Sequence, residues 1–247
     1  MKTRCWLALL VTLLVFLPTG CTEGPNDEEF VAASHALDQA TLDLVAGRTG
    51  EHLCYAALVE PSVALTAAHC VDNWPPGRLL VRGAQGDEAA LARITQNTHY
   101  DQARDLTFDL AVLYFAHDLT DKPMAVSLAD PARLDGTAGL VSTQKGITKV
   151  SIQTFSDCAA EYSKTRIVIS SETDMCATGD GGQVCRGDSG APLVGFEALA
   201  SGSSSHRPVL VGLVSRGIDC SGNTSGIYSA VGRPRMADFL RYALHLA

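Results

Sequence analysis

Six cysteines constrain this chain more than any other feature: Cys54, Cys70, Cys158, Cys176, Cys185 and Cys220. None forms C-x-x-C, and no cluster of His and Cys has zinc-like spacing. An even set behind an export leader points to disulfides made in an oxidising compartment. The fold must therefore bring these residues within bonding reach of one another. No metal and no cofactor are expected.

The leader is residues 1–20. Lys2 and Arg4 form a basic start, and residues 6–17 are an apolar run of 12, too short to span a bilayer. Then Leu17-Pro18-Thr19-Gly20-Cys21 resembles the bacterial lipoprotein box, with Pro18 where that box prefers Leu. Cys5 leaves with the leader, and Cys21 is then the odd cysteine, as a lipidated one would be. The expectation is an exported protein, held at the bacterial cell envelope by a lipid on Cys21 or secreted. Residues 21–29, polar and acidic, read as a tether or a propeptide.

Composition narrows the class. The chain is 46% hydrophobic and 19% charged, which excludes disorder. Aromatics are few at 6%, glycines number 22 and β-branched residues are common, a bias towards strands and turns. The roughly 220 residues after the leader suffice for one large all-β domain or two small ones. Losing Lys2 and Arg4 takes the net charge from −8 to −10. An acidic chain without a basic stripe is a poor nucleic-acid binder.

Strand-length apolar runs recur, separated by Gly, Asp, Asn and Pro. They fall at 42–45, 53–59, 63–66, 79–82, 91–94 and 108–113, then at 139–142, 149–152, 166–169, 191–194, 209–217 and 226–228. Residues 116–136 are turn-rich and read as a crossing between two halves. Residues 196–208 read as a long flexible loop or wide hairpin. Met236, Phe239, Leu240, Ala243 and Leu244 have helical spacing, with Pro234 suited to a first turn, so a helix is expected over 234–246.

Three stretches carry chemistry. Leu65-Thr66-Ala67-Ala68-His69-Cys70 puts a histidine at the end of a strand. Asp109-Leu110-Ala111-Val112-Leu113 puts an acid at the head of an apolar run. A buried carboxylate is costly unless paired, and a histidine N–H is such a partner. Asp101 and Asp105 lead no apolar run and read as solvated loop acids. Cys185-Arg186-Gly187-Asp188-Ser189-Gly190-Ala191-Pro192 sets a serine among glycines whose N–H groups can turn towards a developing oxyanion. Together these resemble the trypsin/chymotrypsin-like serine proteases, over nearly the whole mature chain. The order His69, Asp109, Ser189 is that family's, distinct from subtilisins and α/β-hydrolases. Ala191 stands where the hydrolase elbow needs glycine.

The resemblance implies two six-stranded antiparallel β-barrels, the first over about 30–125 and the second over about 126–233, closed by the C-terminal helix. It implies a serine endopeptidase acting through an acyl-enzyme, with Ser189 as nucleophile, His69 as base and Asp109 orienting it. The Gly187 and Ser189 N–H groups would form the oxyanion hole. The implied bridges are Cys54–Cys70, Cys158–Cys176 and Cys185–Cys220. Partners would be protein or peptide substrates of a monomer, with a membrane reached only through the Cys21 lipid. The competing expectation is a catalytically silent binding protein on the same scaffold.

Specificity and activation depart from the family pattern. The position of the pocket floor is Gln183 rather than an aspartate, which disfavours Lys/Arg substrates. Val184, Gly217 and Gly226 would line an open pocket, and Ser215, Arg216 and Gly217 would pair with substrate backbone. Arg216 replaces a usual Trp, and with Arg186 it would favour acidic or polar substrate groups. The family pairs a freed amino terminus with the aspartate before the serine, here Asp188. A cut between Glu29 and Phe30 is the nearest match. The alternative is that Asp188 is satisfied another way. The Gly-Trp-Gly stretch usual near Leu140 is absent.

Overall fold

The computed structural model describes residues 24–101, 106–179, 184–200, 203–218 and 224–245. Alternating and fully apolar runs both become strands, and the strands close into two antiparallel barrels of six. The first contains β1 (Thr41–Ala46), β2 (His52–Glu60), β3 (Val63–Thr66), β4 (Leu79–Arg82), β5 (Glu88–Gln96) and β6 (Ala111–Phe115). Their order around the barrel is β1-β2-β3-β6-β5-β4. The second contains β7 (Ala138–Thr143), β8 (Gly146–Ile152), β9 (Asp174–Thr178), β10 (Pro192–Ala198), β11 (His206–Arg216) and β12 (Gly226–Ala230), in the order β10-β11-β12-β9-β8-β7. Closure leaves no open strand edge among the described residues.

Each barrel has its own apolar filling, around Leu42, Leu58 and Leu113 in the first and around Val141, Leu193 and Val211 in the second. A third cluster lies between them. Leu65 and Leu110 from the first barrel meet Leu140 and Leu213 from the second. Two helices complete that cluster. One is α3 (Pro234–Ala243), whose Met236 and Leu240 are fully buried. The other is α1 (Asp27–Ala40), which buries Ala33, Leu37 and Ala40. Full burial of a side chain such as Leu37 contributes about 1.5–3 kcal/mol.

Helix α1 corrects the expected tether. Asn26 caps it by accepting from Glu29 N at 3.0 Å, and Glu29 Oε2 accepts from Asn26 N at 2.9 Å. This reciprocal capping box satisfies two of the orphan donors at a helix start. The Glu29 carboxylate also accepts the His206 N–H, and the Phe30 ring packs edge-on to Phe196 at 4.8 Å and under the Lys149 ammonium at 3.6 Å. The proposed cut between Glu29 and Phe30 therefore falls inside the first turns of a docked helix.

Three other expectations are corrected. Residues 166–169 form no strand, and β9 begins later at Asp174. Residues 196–208 are shorter as a loop than expected, because β10 runs on to Ala198 and β11 starts at His206, pairing Ala198 with His206. Phe108 and Asp109 precede β6, and Phe108 has a φ of 57°. The break lets Asp109 leave the strand direction and face the neighbouring barrel. The short helix α2 (Phe155–Tyr162) is fastened to β9 by the Cys158–Cys176 disulfide.

Candidate active site

His69 lies on a single 3-10 turn, Ala68–Cys70, immediately after β3. The Cys54–Cys70 disulfide ties this turn to β2. Closing a loop of that length contributes roughly 3 kcal/mol in the chain-entropy model. More to the point, it fixes the backbone that carries the imidazole. His69 Nδ1 stands 2.8 Å from Asp109 Oδ2, and His69 N donates to Asp109 Oδ1 at 2.9 Å. A carboxylate only accepts, so Nδ1 carries the proton and Nε2 is left as the basic nitrogen.

Asp109 is 0% exposed. Burying its charge is tolerable because three donors meet it. The third is the Ser215 hydroxyl, which donates to Oδ2 at 2.6 Å. Its backbone is held too, since Ser229 Oγ donates to Asp109 O at 2.7 Å. Ser215 and Ser229 lie on β11 and β12, so the second barrel supports an aspartate supplied by the first.

Behind Ser215 stands Arg216. Its guanidinium donates to Ser215 Oγ at 3.2 Å, to Val168 O at 2.9 Å and to Asp174 Oδ2 at 2.6 Å. The Arg216 and Asp174 side chains are 9% and 1% exposed. Burial raises the Asp174 pKa, and the Arg216 charge opposes that rise. Arg216 is thus not a free cation at the pocket mouth, as its sequence position implies. It neutralises a buried acid, and losing one partner of such a pair typically costs about 3–5 kcal/mol. Arg186 remains exposed at the rim.

The serine stretch turns where its glycines allow. Gly187 has a φ of 98° and Gly190 of 77°. A side chain on Gly190 would place Cβ 2.1 Å from Tyr55 O, so only glycine fits against β2. Asp188 N donates to Cys185 O at 2.9 Å, closing the turn, and Tyr55 N donates to Ser189 O at 2.8 Å. Neither the Gly187 N–H nor the Ser189 N–H is taken by another group among the described residues. Both are available as donors to a ligand oxygen. The Ser189 hydroxyl makes no hydrogen bond among the described residues.

Asp188 is 2% exposed. Its carboxylate accepts from Gln144 N at 2.8 Å and from Cys185 N at 2.7 Å. Of the two expectations for Asp188, this arrangement matches satisfaction by other groups, here two backbone donors. The Gln144 N–H comes from the two-residue turn between Thr143 and Gly146 that joins β7 to β8. A second support lies under Gly187. His52 Nε2 meets Gly187 O at 2.8 Å, and His52 Nδ1 is bonded to Asp43 Oδ1. Burial works against charge on His52, but these two hydrogen bonds outweigh it, and the His52 pKa is raised. Both partners are acceptors, so only the protonated ring serves both.

Beside Ser189 opens a cleft of about 280 Å³, lined by Val184, Arg186, Val214, Gly217 and Ile218 among others. Gly226 stands behind Val184 rather than on the cleft wall. Cys185 is disulfide-bonded. Its expected partner Cys220, the expected pocket floor Gln183 and the expected lipid site Cys21 lie outside the described residues. Among the described residues, Cys54, His69 and Cys70 are grouped closely enough to suggest metal ligands, but the two sulfurs are bonded to each other. No described helix is long and apolar enough to cross a membrane.

Gln144, His52, Asp43 and Asp174 were not legible as site residues. Gln144 acts through its backbone and leaves no side-chain signature. His52, two residues before Cys54, could have been suspected from its place on the strand beside the serine turn.

Comparison with known proteins agrees with this geometry. The sequence model of the family described as Trypsin matches residues 32–238. Trypsin alpha of Drosophila melanogaster is 29% identical over 205 residues, covering 74% of this chain and 75% of its own. Serine protease 28 of Mus musculus is 29% identical over 210 residues, covering 73% and 74%. Trypsin delta of Drosophila melanogaster is 29% identical over 210 residues, covering 76% and 78%.

Proposed function

The chain belongs to the trypsin family of serine proteases, and from that premise we propose that it hydrolyses peptide bonds through an acyl-enzyme on Ser189. The observation that carries this reading is the buried Asp109 holding His69 by both its ring and its backbone.

In the proposed reaction Ser189 Oγ attacks the scissile carbonyl carbon while His69 Nε2 takes the hydroxyl proton. The C=O bond electrons move to oxygen, and the Gly187 and Ser189 N–H groups receive that oxyanion. One such donor is typically worth about 2.7–4 kcal/mol in the transition state. Collapse of the adduct breaks the C–N bond, and His69 returns the proton to the leaving amine. Water then repeats the sequence on the acyl-enzyme and frees Ser189. Asp109 keeps the tautomer and stabilises the imidazolium throughout.

The backbone cradle around Asp188 supports competence without a cut at Glu29. Export and a lipid on Cys21 belong to this reading as well. A serine-directed fluorophosphonate probe tests it. Labelling of the wild type that vanishes in Ser189→Ala is expected. An unlabelled wild type would leave the silent binding protein as the better account.

A further inference from the structure

The support of Asp109 continues behind Ser215 for two more residues. Resting on the protease reading above, we propose that Arg216 and Asp174 are positioning residues for the triad: their buried ion pair directs the Ser215 hydroxyl onto Asp109, and so holds the carboxylate where His69 needs it.

The hydroxyl is the link that needs directing. Ser215 Oγ carries one proton, and two groups of opposite demand lie within its reach. Asp109 Oδ2 at 2.6 Å only accepts, and Arg216 Nη1 at 3.2 Å only donates. The guanidinium therefore takes a lone pair of the oxygen and leaves the proton one course, towards Asp109. Without that donor the hydroxyl is freer to rotate.

Arg216 is itself held through both terminal nitrogens. Nη1 donates to Ser215 Oγ at 3.2 Å and to Leu106 O at 3.4 Å, and Nη2 donates to Val168 O at 2.9 Å and to Asp174 Oδ2 at 2.6 Å. The planar fork is thus set against four acceptors at once, an arrangement that suits arginine and not lysine. Asp174 is fixed in turn. Ser170 N donates to its Oδ2 and Thr173 Oγ to its Oδ1, both at 2.9 Å. The two charges are almost out of solvent, so salt and water screen their attraction little.

The order of contacts runs Asp174, Arg216, Ser215, Asp109, His69. Each member before His69 is more rigid than a solvated side chain, and none of the first three touches the reacting atoms. The competing account is a purely structural pair, because the same contacts fasten residues 168–174 to β11. The accounts differ in one respect. A positioning pair acts through the Ser215 hydroxyl, so its effect on the triad vanishes once that hydroxyl is gone. A structural pair acts regardless of it.

The test is a double-mutant cycle on the full chain. Its readout is the rate at which a fluorophosphonate labels Ser189. In that reaction Ser189 Oγ bonds to phosphorus, His69 takes the hydroxyl proton and fluoride leaves. In one arm Arg216→Met is combined with Asp174→Asn, so that no buried charge is left unpaired. In the other, Ser215→Ala removes the link. Each arm is expected to slow labelling about 10-fold, the low end of what a hydrogen bond to a charged group contributes. All three substitutions together should be slower than Ser215→Ala by no more than about twofold. If the Met and Asn pair does not fold, Arg216→Lys enters the cycle in its place, keeping the charge beside Asp174 but losing the planar fork. Losses that multiply, or an arm that labels at the wild-type rate, overturn the positioning proposal and leave the protease reading standing. An unlabelled wild type overturns both.

Discussion

Asp109 and Asp188 are both buried carboxylates within the same site, and they are satisfied in opposite ways. Asp109 meets the His69 ring, the His69 backbone and the Ser215 hydroxyl. Two of its three donors are side chains, one of which must change protonation during the proposed reaction. Among the described residues, Asp188 meets the backbone N–H groups of Gln144 and Cys185. A charge that answers a moving proton is set against a titrating ring. A charge that only has to hold a turn is set against groups that never titrate. The first barrel presents the responsive acid and the second the fixed one.

The comparison breaks most severely at Asp109. Asp109→Asn is expected to lower kcat about 10⁴-fold, because an amide can offer its NH₂ to His69 and trap the wrong tautomer. Folding should survive, and thermal unfolding alongside kinetics separates the two. A loss under tenfold would remove Asp109 from the proposed role.

Asp188→Asn comes next. The amide can accept from one backbone N–H but presents its own N–H₂ to the other, leaving a buried donor unpaired at a cost of about 1–3 kcal/mol. The turn that aims the Gly187 N–H then loosens. Loss of one oxyanion donor implies a fall of about 10²–10³ in kcat with little change in KM. A variant with wild-type kcat would show that Asp188 does not govern the oxyanion turn.

The smallest effect separates the fixed support from a titrating one. The folded state raises the His52 pKa. Its contribution to stability is then fully present below the ordinary imidazole pKa of about 6.5 and is lost as pH rises through the folded value. Solvent screens this partly exposed group, so the effect should stay within about 1 kcal/mol. The Tm gap between wild type and His52→Gln should be widest at acid pH and close on going alkaline. A gap independent of pH would mean that the ring supports Gly187 without its charge.

Much of this arrangement was readable from letters. His69, Asp109 and Ser189 stand in stretches whose apolar runs and glycines announce strand ends and turns. Most strands follow from recurring strand-length runs, and their closure into two barrels was implied by the family resemblance. Helix α1 was missed although its marks are present: Asn26 and Glu29 at capping-box spacing, then Phe30, Ala33, Leu37 and Ala40 at helical spacing. Acidic, turn-forming letters at 22–29 outweighed them. Arg216 misled for a different reason. Its charge is visible in sequence, but Asp174, 42 residues earlier, becomes its neighbour only when β9, β12 and β11 close side by side. Residues 166–169 have strand letters, yet Arg216 takes the Val168 carbonyl as part of an irregular segment.

The two-residue turn that carries Gln144 has one more consequence. On the proposed reading, Asp188 is held by that turn rather than by a freed amino terminus, and α1 lies as a splint against both barrels. That reading carries a practical expectation: a fusion partner or an affinity handle placed before Asn26 should leave fluorophosphonate labelling of Ser189 in place without first being cut away.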